Sequence, residues 1–254
     1  ANGNVISVPL NAEKQFVPDL EMVTRELWPK PKVMIFNFPH NPTTATVDIS
    51  FFEEIVDFAR RQDIIVIHDM AYSDIAFDGF EVPSLLQVKG AKEVGVEFYT
   101  MSKSYNMAGS RVGFCLGNPE IIHALSVIKN YYDYGVYTPI QVSAIAALDG
   151  PQDCVRIARE TYQQRRDTLV DGLNRIGWPV STPKASMFLW APIPEKYKEL
   201  GSMKFAMKLM EEAEVAISPG VGFGDNGEGY VRISLVENDH RIRQAVRNIK
   251  RALF

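Results

Sequence analysis

The chain has 254 residues, 46% hydrophobic and 23% charged, an ordinary globular composition that excludes a disordered, collagen-like or coiled-coil protein. Its 27 basic and 31 acidic residues leave a formal charge of −4, which offers no field for nucleic acid or an anionic lipid surface. Two cysteines, Cys115 and Cys154, cannot build a disulfide framework and fit a reducing, cytoplasmic compartment, with a single bridge between them left open.

The opening Ala-Asn-Gly-Asn has no initiator Met and reads as the middle of a protein. The run Val33-Met34-Ile35-Phe36-Asn37 is short, continuous and apolar, the pattern of a strand buried on both faces of a parallel sheet. Ser50-Phe51-Phe52-Glu53 is a capping-box pattern that opens a helix running to about residue 62. Residues 64–67 form a second buried strand ending in His68-Asp69, and 94–100 and 112–116 two more. Strands alternating with helices predict an α/β layer with a mostly parallel sheet.

From Pro119 helices dominate, over 119–134, 139–149 and 153–176, the last closed by Gly177. Strands at 187–191, 215–218 and 230–235 and helices at 202–213 and from Asn238 follow. This predicts a smaller α+β domain over 151–254 behind a first domain over 1–150, divided near Gly150-Pro151. No repeat or low-complexity tract occurs, and no apolar run is long enough to cross a bilayer. No charged and then apolar leader suggests secretion.

Several motifs fail on context. Gly222-x-Gly224-x-x-Gly227 spells the dinucleotide fingerprint, but a strand follows it where the fingerprint needs a helix. Two S-x-x-K matches, at 126–129 and 181–184, lack their companion motifs. Proline occupies the middle of Asn41-Pro42-Thr43, so it is no glycosylation acceptor. The four histidines show no metal-ligand spacing, and no metal site is expected.

Four segments do better together. Each puts a polar residue where a loop at a sheet end exposes it, which is where α/β proteins build sites. Asn41 follows the first strand, Asp69 and Tyr72 the second. Thr100-Met-Ser102-Lys103 follows the third, with Arg111 eight residues on. Arg232 sits inside the apolar run Tyr230-Val-Arg232-Ile-Ser234, costly unless an anion or an internal salt bridge meets it. One lysine, one carboxylate, a tyrosine, an asparagine and two arginines match the needs of a pyridoxal phosphate site: an amine for the Schiff base, an acid for the ring nitrogen, and cations for a phosphate and a substrate carboxylate.

On those residues, and on the stretches 96–109, 183–188 (Pro-Lys-Ala-Ser-Met-Phe) and 218–225 (Ser-Pro-Gly-Val-Gly-Phe-Gly-Asp), the chain resembles a class I/II, fold-type I aminotransferase over essentially its whole length. The likeness is closest to the bacterial glutamate–pyruvate (alanine) aminotransferases. It implies pyridoxal 5′-phosphate as cofactor, amino and 2-oxo acids as substrates, a homodimer, and exchange of an amino group between alanine and 2-oxoglutarate. It implies that Lys103 is the Schiff-base lysine and proton shuttle, and that Asp69 pairs with the ring nitrogen. Asn41 and Tyr72 then hydrogen-bond the phenolic oxygen, Arg111, Thr100 and Ser102 hold the phosphate, and Arg232 grips the substrate α-carboxylate.

Two departures stand beside the likeness. The family's N-terminal portion, with its phosphate loop and ring-stacking aromatic, has no counterpart in this chain, so the polypeptide alone is expected to bind the cofactor poorly. The stretch Lys129-Asn-Tyr-Tyr-Asp-Tyr-Gly135 carries no arginine, which favours a small apolar substrate over a dicarboxylate. Its tyrosines read equally as pocket lining or as helix packing. LL-diaminopimelate and aspartate aminotransferases, lyases and cyclopropane-forming synthases share the same residue set. So do ligand-sensing domains of transcription regulators, against which the acidic chain speaks.

Overall fold

A computed structural model describes residues 3–20, 23 and 31–254. The opening Ala1-Asn2 lies outside the described residues, as do 21–22 and 24–30. Among the described residues stand two sheets. The first has the order β1 (Val33–Asn37), β2 (Ile65–Asp69), β3 (Gly95–Thr100), β4 (Gly113–Gly117). β1, β2 and β3 are parallel, and β4 returns antiparallel, so the sheet is mostly parallel as the alternation predicts. The register sets Asn37 beside Asp69 and Asp69 beside Phe98, which brings the polar ends of β1 and β2 to one edge.

Helix α1 (Ile49–Gln62) crosses between β1 and β2 and buries Phe52, Ile55, Val56, Phe58 and Ala59. With Phe38, Val47, Val66, Leu85 and Ala91, the side chains of Phe52, Ile55, Val56 and Ala59 build the core on one face of the sheet, while Phe58 packs with Val23 and Ile64. Its N-cap is Asp48 in extended backbone; Ser50 lies in the first turn and makes no cap, so the capping-box expectation is corrected. The expectation of strands buried on both faces is corrected too. Met34 and Phe36 pack against the core, while Ile35 is 71% exposed and Val33 and Ile65 face the same open side. On this face Val33, Ile35 and Ile65 stand exposed among the described residues, while Val96 on β3 is buried.

Two short helices, α2 (Ala91–Val94) and α3 (Met101–Ser104), flank β3, and α4 (Pro119–Tyr132) and α5 (Thr138–Asp149) follow β4. Asn118 caps α4 by accepting from the amides of Glu120 and Ile121, with Pro119 at its first position. The long α6 (Asp153–Arg175) then leads to the second sheet, order β5 (Phe188–Pro192), β7 (Tyr230–Ser234), β6 (Ser218–Pro219), all antiparallel. The strand expected over 215–218 shrinks to the two residues of β6.

Helices α6, α7 (Gly201–Ala213) and α8 (Asp239–Leu253) pack around that sheet, burying Leu169, Leu173, Trp178, Phe205, Leu209, Ile242 and Ile249. The glycine-rich run forms tight 3-10 turns leading into β7. A Cβ on Gly220 would stand 1.9 Å from the Gly227 carbonyl oxygen, so close backbone approach explains the glycines there.

The two sheets are stitched by backbone. Phe77 donates to Lys184 O at 2.8 Å and Ser186 to Ile75 O at 2.8 Å, making a bridge between Ala76 and Ala185. Beside it Arg166 of α6, 2% exposed, forks onto Asp78 at 2.6 and 3.0 Å, donates to Pro183 O and lies over the Phe77 ring. No described helix is long and apolar enough to cross a membrane.

Candidate active site

Of the polar residues marked in the sequence, Asn41, Asp69 and Thr100 stand at or just past the C-terminal ends of β1, β2 and β3, and Arg232 of β7 reaches Asn41. After β1 the chain runs through His40, whose Nδ1 lies 2.7 Å from Thr43 Oγ1, with cis peptide bonds at Phe38-Pro39 and Asn41-Pro42. Burial lowers the His40 pKa to about 4, so the ring is neutral at physiological pH. Asn41 Oδ1 accepts from Arg232 Nη1 at 2.7 Å, joining residues 191 apart in sequence and tying β7 to the β1 loop.

Arg232 meets no carboxylate among the described residues, so the internal salt bridge left open by the sequence is not how its charge is met. Its guanidinium lies 5.0 Å from the Phe188 ring and 4.5 Å from the Phe223 ring. Burial pulls its pKa down against the opposing pull of Tyr72. Its Nε is buried with no hydrogen-bond partner. An unmet donor of a charged group costs about 1–3 kcal/mol or more, and an arriving anion would recover that.

Tyr72 is buried in the loop after β2, its ring edge-on to Phe188 at 5.3 Å. Desolvation raises its phenol pKa, Arg232 opposes that, and Asp69 adds to it, so the three groups share one field. Asp69 ends β2 open to solvent as a residue, yet its carboxyl is crowded enough that desolvation raises its pKa, against the pull of His68 and the Ala71 amide. A cation placed beside it would restore the ordinary value.

Thr100, the last residue of β3, caps α3: its Oγ1 accepts the Ser102 amide at 3.2 Å. Lys103 rides on that single turn, half-buried, its amine without a hydrogen-bond or ion-pair partner among the described residues. Arg111 is exposed, in left-handed backbone at φ 53°, and uses one donor on Ala108 O at 3.1 Å. A hydrogen bond links Arg232 to Asn41, Tyr72 and Arg232 both lie against the Phe188 ring, and the charges of Arg232 and Asp69 both act on Tyr72. Thr100, Ser102 and Lys103 join them through the loop after β2, and Arg111 stands beside them at the start of β4, next to Val112, whose carbonyl accepts the Met101 amide.

Three groups here were not singled out in the sequence. Asp74 receives the hydroxyls of Tyr99 and Ser104. His68, fully buried, places Nδ1 2.8 Å from Glu97 Oε2 and Nε2 beside the Phe38 backbone. Glu97 also accepts from Ser84 Oγ and the Leu85 amide. Glu97 was findable: a charged residue in the apolar run Val96-Glu97-Phe98 raises the same question as Arg232 in β7. Among the described residues Tyr131, Tyr132 and Tyr134 are 85%, 88% and 92% exposed. A cavity of about 680 Å³ opens elsewhere, between residues 3–10 and β1, and reaches this site only at Asn37 and His40.

Comparison with known proteins gives these residues a setting. The model of the family "Aminotransferase class I and II" matches residues 1–249. The chain is 55% identical over 254 residues to the glutamate–pyruvate aminotransferase AlaC of Escherichia coli K12, covering all of this chain and 61% of that protein. It is 45% identical over 253 residues to the LL-diaminopimelate aminotransferase of Moorella thermoacetica, covering 64% of it. Among solved structures, apo-BacF from Bacillus subtilis superposes with a TM-score of 0.91 at 35% identity, over 96% of this chain and 62% of that one. The aromatic aminotransferase from Pyrococcus horikoshii OT3 does so at 0.91 and 31%, over 98% and 66%. The chain thus spans about three-fifths of the length of these relatives. With that match running through every strand and loop that carries the site, the chain belongs to the class I and II aminotransferases, enzymes that work with pyridoxal phosphate.

Proposed function

We propose that the whole protein moves an amino group between alanine and 2-oxoglutarate, with Lys103, Asp69 and Arg232 as its central residues. The observation that carries the reading is the hydrogen bond from Arg232 to Asn41, which holds a half-buried cation with an unmet Nε donor at the loop after β1. The glutamate–pyruvate specificity of the E. coli relative and the arginine-free stretch 129–135 support a small apolar substrate.

The residues present fit pyridoxal phosphate. An unpartnered amine, an acid with a raised pKa, an exposed guanidinium with donors to spare and a half-buried arginine with an unmet donor are what such a group and its substrate ask for. When bound, the cofactor supplies an electron sink for the carbanion left when a substrate Cα–H bond breaks. Asp69 would hold a proton on the ring nitrogen by offering it a carboxylate. Asn41 and Tyr72 would donate to the phenolic oxygen. Arg111, with Thr100 and Ser102, would hold the phosphate, since a guanidinium fork suits a dianion better than an ammonium does.

Arg232 would take the substrate α-carboxylate on its free donors and so orient the Cα–H bond toward Lys103. Lys103 would take that proton and return it to the neighbouring carbon of the cofactor. The division of labour we infer puts cofactor binding in residues 1–150 and the substrate carboxylate contact in 151–254. The bare apolar surface of α4 and α5, with Ile128, Tyr131, Tyr132, Tyr137 and Ile145 exposed, fits a second copy, and we infer a homodimer of the cytoplasm.

The test is an assay of the whole protein against a panel of amino donors with pyruvate and with 2-oxoglutarate. Alanine with 2-oxoglutarate should give the highest kcat/KM. LL-diaminopimelate as best donor would move the function to that relative's reaction, and no transfer to either acceptor would remove transamination altogether.

A further inference from the structure

We propose that Asp74 is a positioning residue that holds Lys103 in register with Asp69 and Tyr72. The proposal rests on the reading of Lys103 as the lysine that bonds the cofactor. Asp74 lies in the loop after β2, five residues beyond Asp69 and two beyond Tyr72. Its Oδ2 accepts three hydroxyls: Ser104 at 2.5 Å, Tyr99 at 2.6 Å and Ser73 at 3.3 Å. Ser104 is buried and is the neighbour of Lys103; Tyr99 immediately precedes Thr100, the cap of the same turn. One carboxylate oxygen thus grips both ends of the segment 99–104 on which Lys103 rides.

The grip matters because α3 is only four residues long. A single helical turn has too few internal bonds to fix its own orientation. Its backbone anchors are long, with the Met101 amide 3.3 Å from Val112 O and the Tyr105 and Met107 amides 3.3 Å from Met101 O. Hydroxyl bonds to an ionised carboxylate are shorter and about twice as strong as neutral ones. Among the described residues Asp74 has no cationic partner, so it is not half of a salt bridge. Burial and the Asp74 charge both raise the Tyr99 phenol pKa, which keeps Tyr99 a donor. Any slip of the Asp69–Tyr72 loop past the Lys103 turn must break these bonds.

The test follows the reactivity of Lys103 itself. The whole protein is mixed with pyridoxal 5′-phosphate and reduced with borohydride. The rate at which Lys103 is labelled is read by peptide mass spectrometry, beside labelling of the exposed Lys204, with the melting temperature recorded separately. Asp74→Ala, which removes the bonds to both Tyr99 and Ser104, should slow Lys103 labelling about tenfold or more and leave Lys204 unchanged. Asp74→Asn, which keeps an acceptor oxygen but loses the charge, should fall between. The double variant Tyr99→Phe/Ser104→Ala should reproduce the loss, and adding Asp74→Ala to it should slow labelling no further.

Labelling of Lys103 at the parent rate in Asp74→Ala overturns the positioning role while leaving the lysine assignment intact. If Asp74→Ala does not fold, parent-rate labelling in Tyr99→Phe/Ser104→Ala overturns it instead. A parent protein that carries no label on Lys103 overturns the lysine assignment and this proposal together.

Discussion

A guanidinium inside an apolar strand is costly unless its donors are met, and Arg232 has one donor on Asn41, two aromatic rings against its plane and a buried Nε with nothing to bond. Arg232→Lys keeps the charge but loses the fork, so KM for the amino acid should rise about ten- to a hundredfold, with a smaller change in kcat. An unchanged KM would make Arg232 a purely structural residue. Lys103→Ala should abolish turnover with stability changed by about 0.5 kcal/mol or less, since the amine has no partner to lose; near-normal turnover would remove Lys103 from the chemistry. At this scale the sequence marks candidates wherever a polar residue interrupts or closely follows an apolar run, as at Asp69, Lys103 and Arg232. Asp74 was not legible, because its role depends on Tyr99 and Ser104, 25 and 30 residues away in sequence. Nor was Arg166, one of many charges along α6, whose burial only the packed neighbour loop reveals.

Strands β1, β2 and β3 are held in line beneath the site by more than their ladders. His68 reaches the Phe38 backbone with one nitrogen and Glu97 with the other, and Glu97 also takes Ser84 and the Leu85 amide. Burial pushes the Glu97 carboxyl up, but the bonds from His68 and Ser84, the His68 charge and the Leu85 amide outweigh it, and its pKa lies below the usual glutamate value. A carboxyl lowered by folding adds stability above its unfolded pKa and gives it up as pH falls through the lower folded value. The melting temperature should therefore decline below about pH 4.5, the unfolded glutamate value, and the decline should be shallower in Glu97→Gln. Glu97→Ala should cost about 1–3 kcal/mol for each buried donor left unpaired, read by urea denaturation; a loss under about 0.5 kcal/mol would show that the network does not hold the strands. Element positions were legible from periodicity to within a residue or two, because buried apolar runs and Gly or Pro punctuation decide them. The start of α1 was not: Ser50 and Glu53 carry the letters of a box, yet the extended residue before the helix is Asp48. The open face of β1 was hidden as well, since an apolar run states what prefers burial and not what covers it.

Across the whole molecule the proposed site draws on both sheets, with residues from 41 to 232 and the Arg232–Asn41 hydrogen bond between them. The Ala76–Ala185 bridge and the Arg166–Asp78 fork beside it set how β7, and with it Arg232, faces the loops of the first sheet. The family likeness was legible because its motifs sit at strand ends in fixed order, while the fate of Tyr131, Tyr132 and Tyr134 was not, their side chains standing in solvent on this chain alone. If α4 and α5 meet a second copy, sedimentation velocity should give a dimer for the whole protein and a monomer for Ile128→Asp/Tyr132→Asp; a monomeric parent would refute the interface. The most direct test of the central claim is a crystal structure of the whole protein grown with pyridoxal 5′-phosphate. It should show density continuous from Lys103 Nζ into the cofactor, with the Asp69 carboxylate at the ring nitrogen and Arg232 facing the substrate side. A cofactor bonded to another lysine, or a ring whose nitrogen points away from Asp69, would contradict the account.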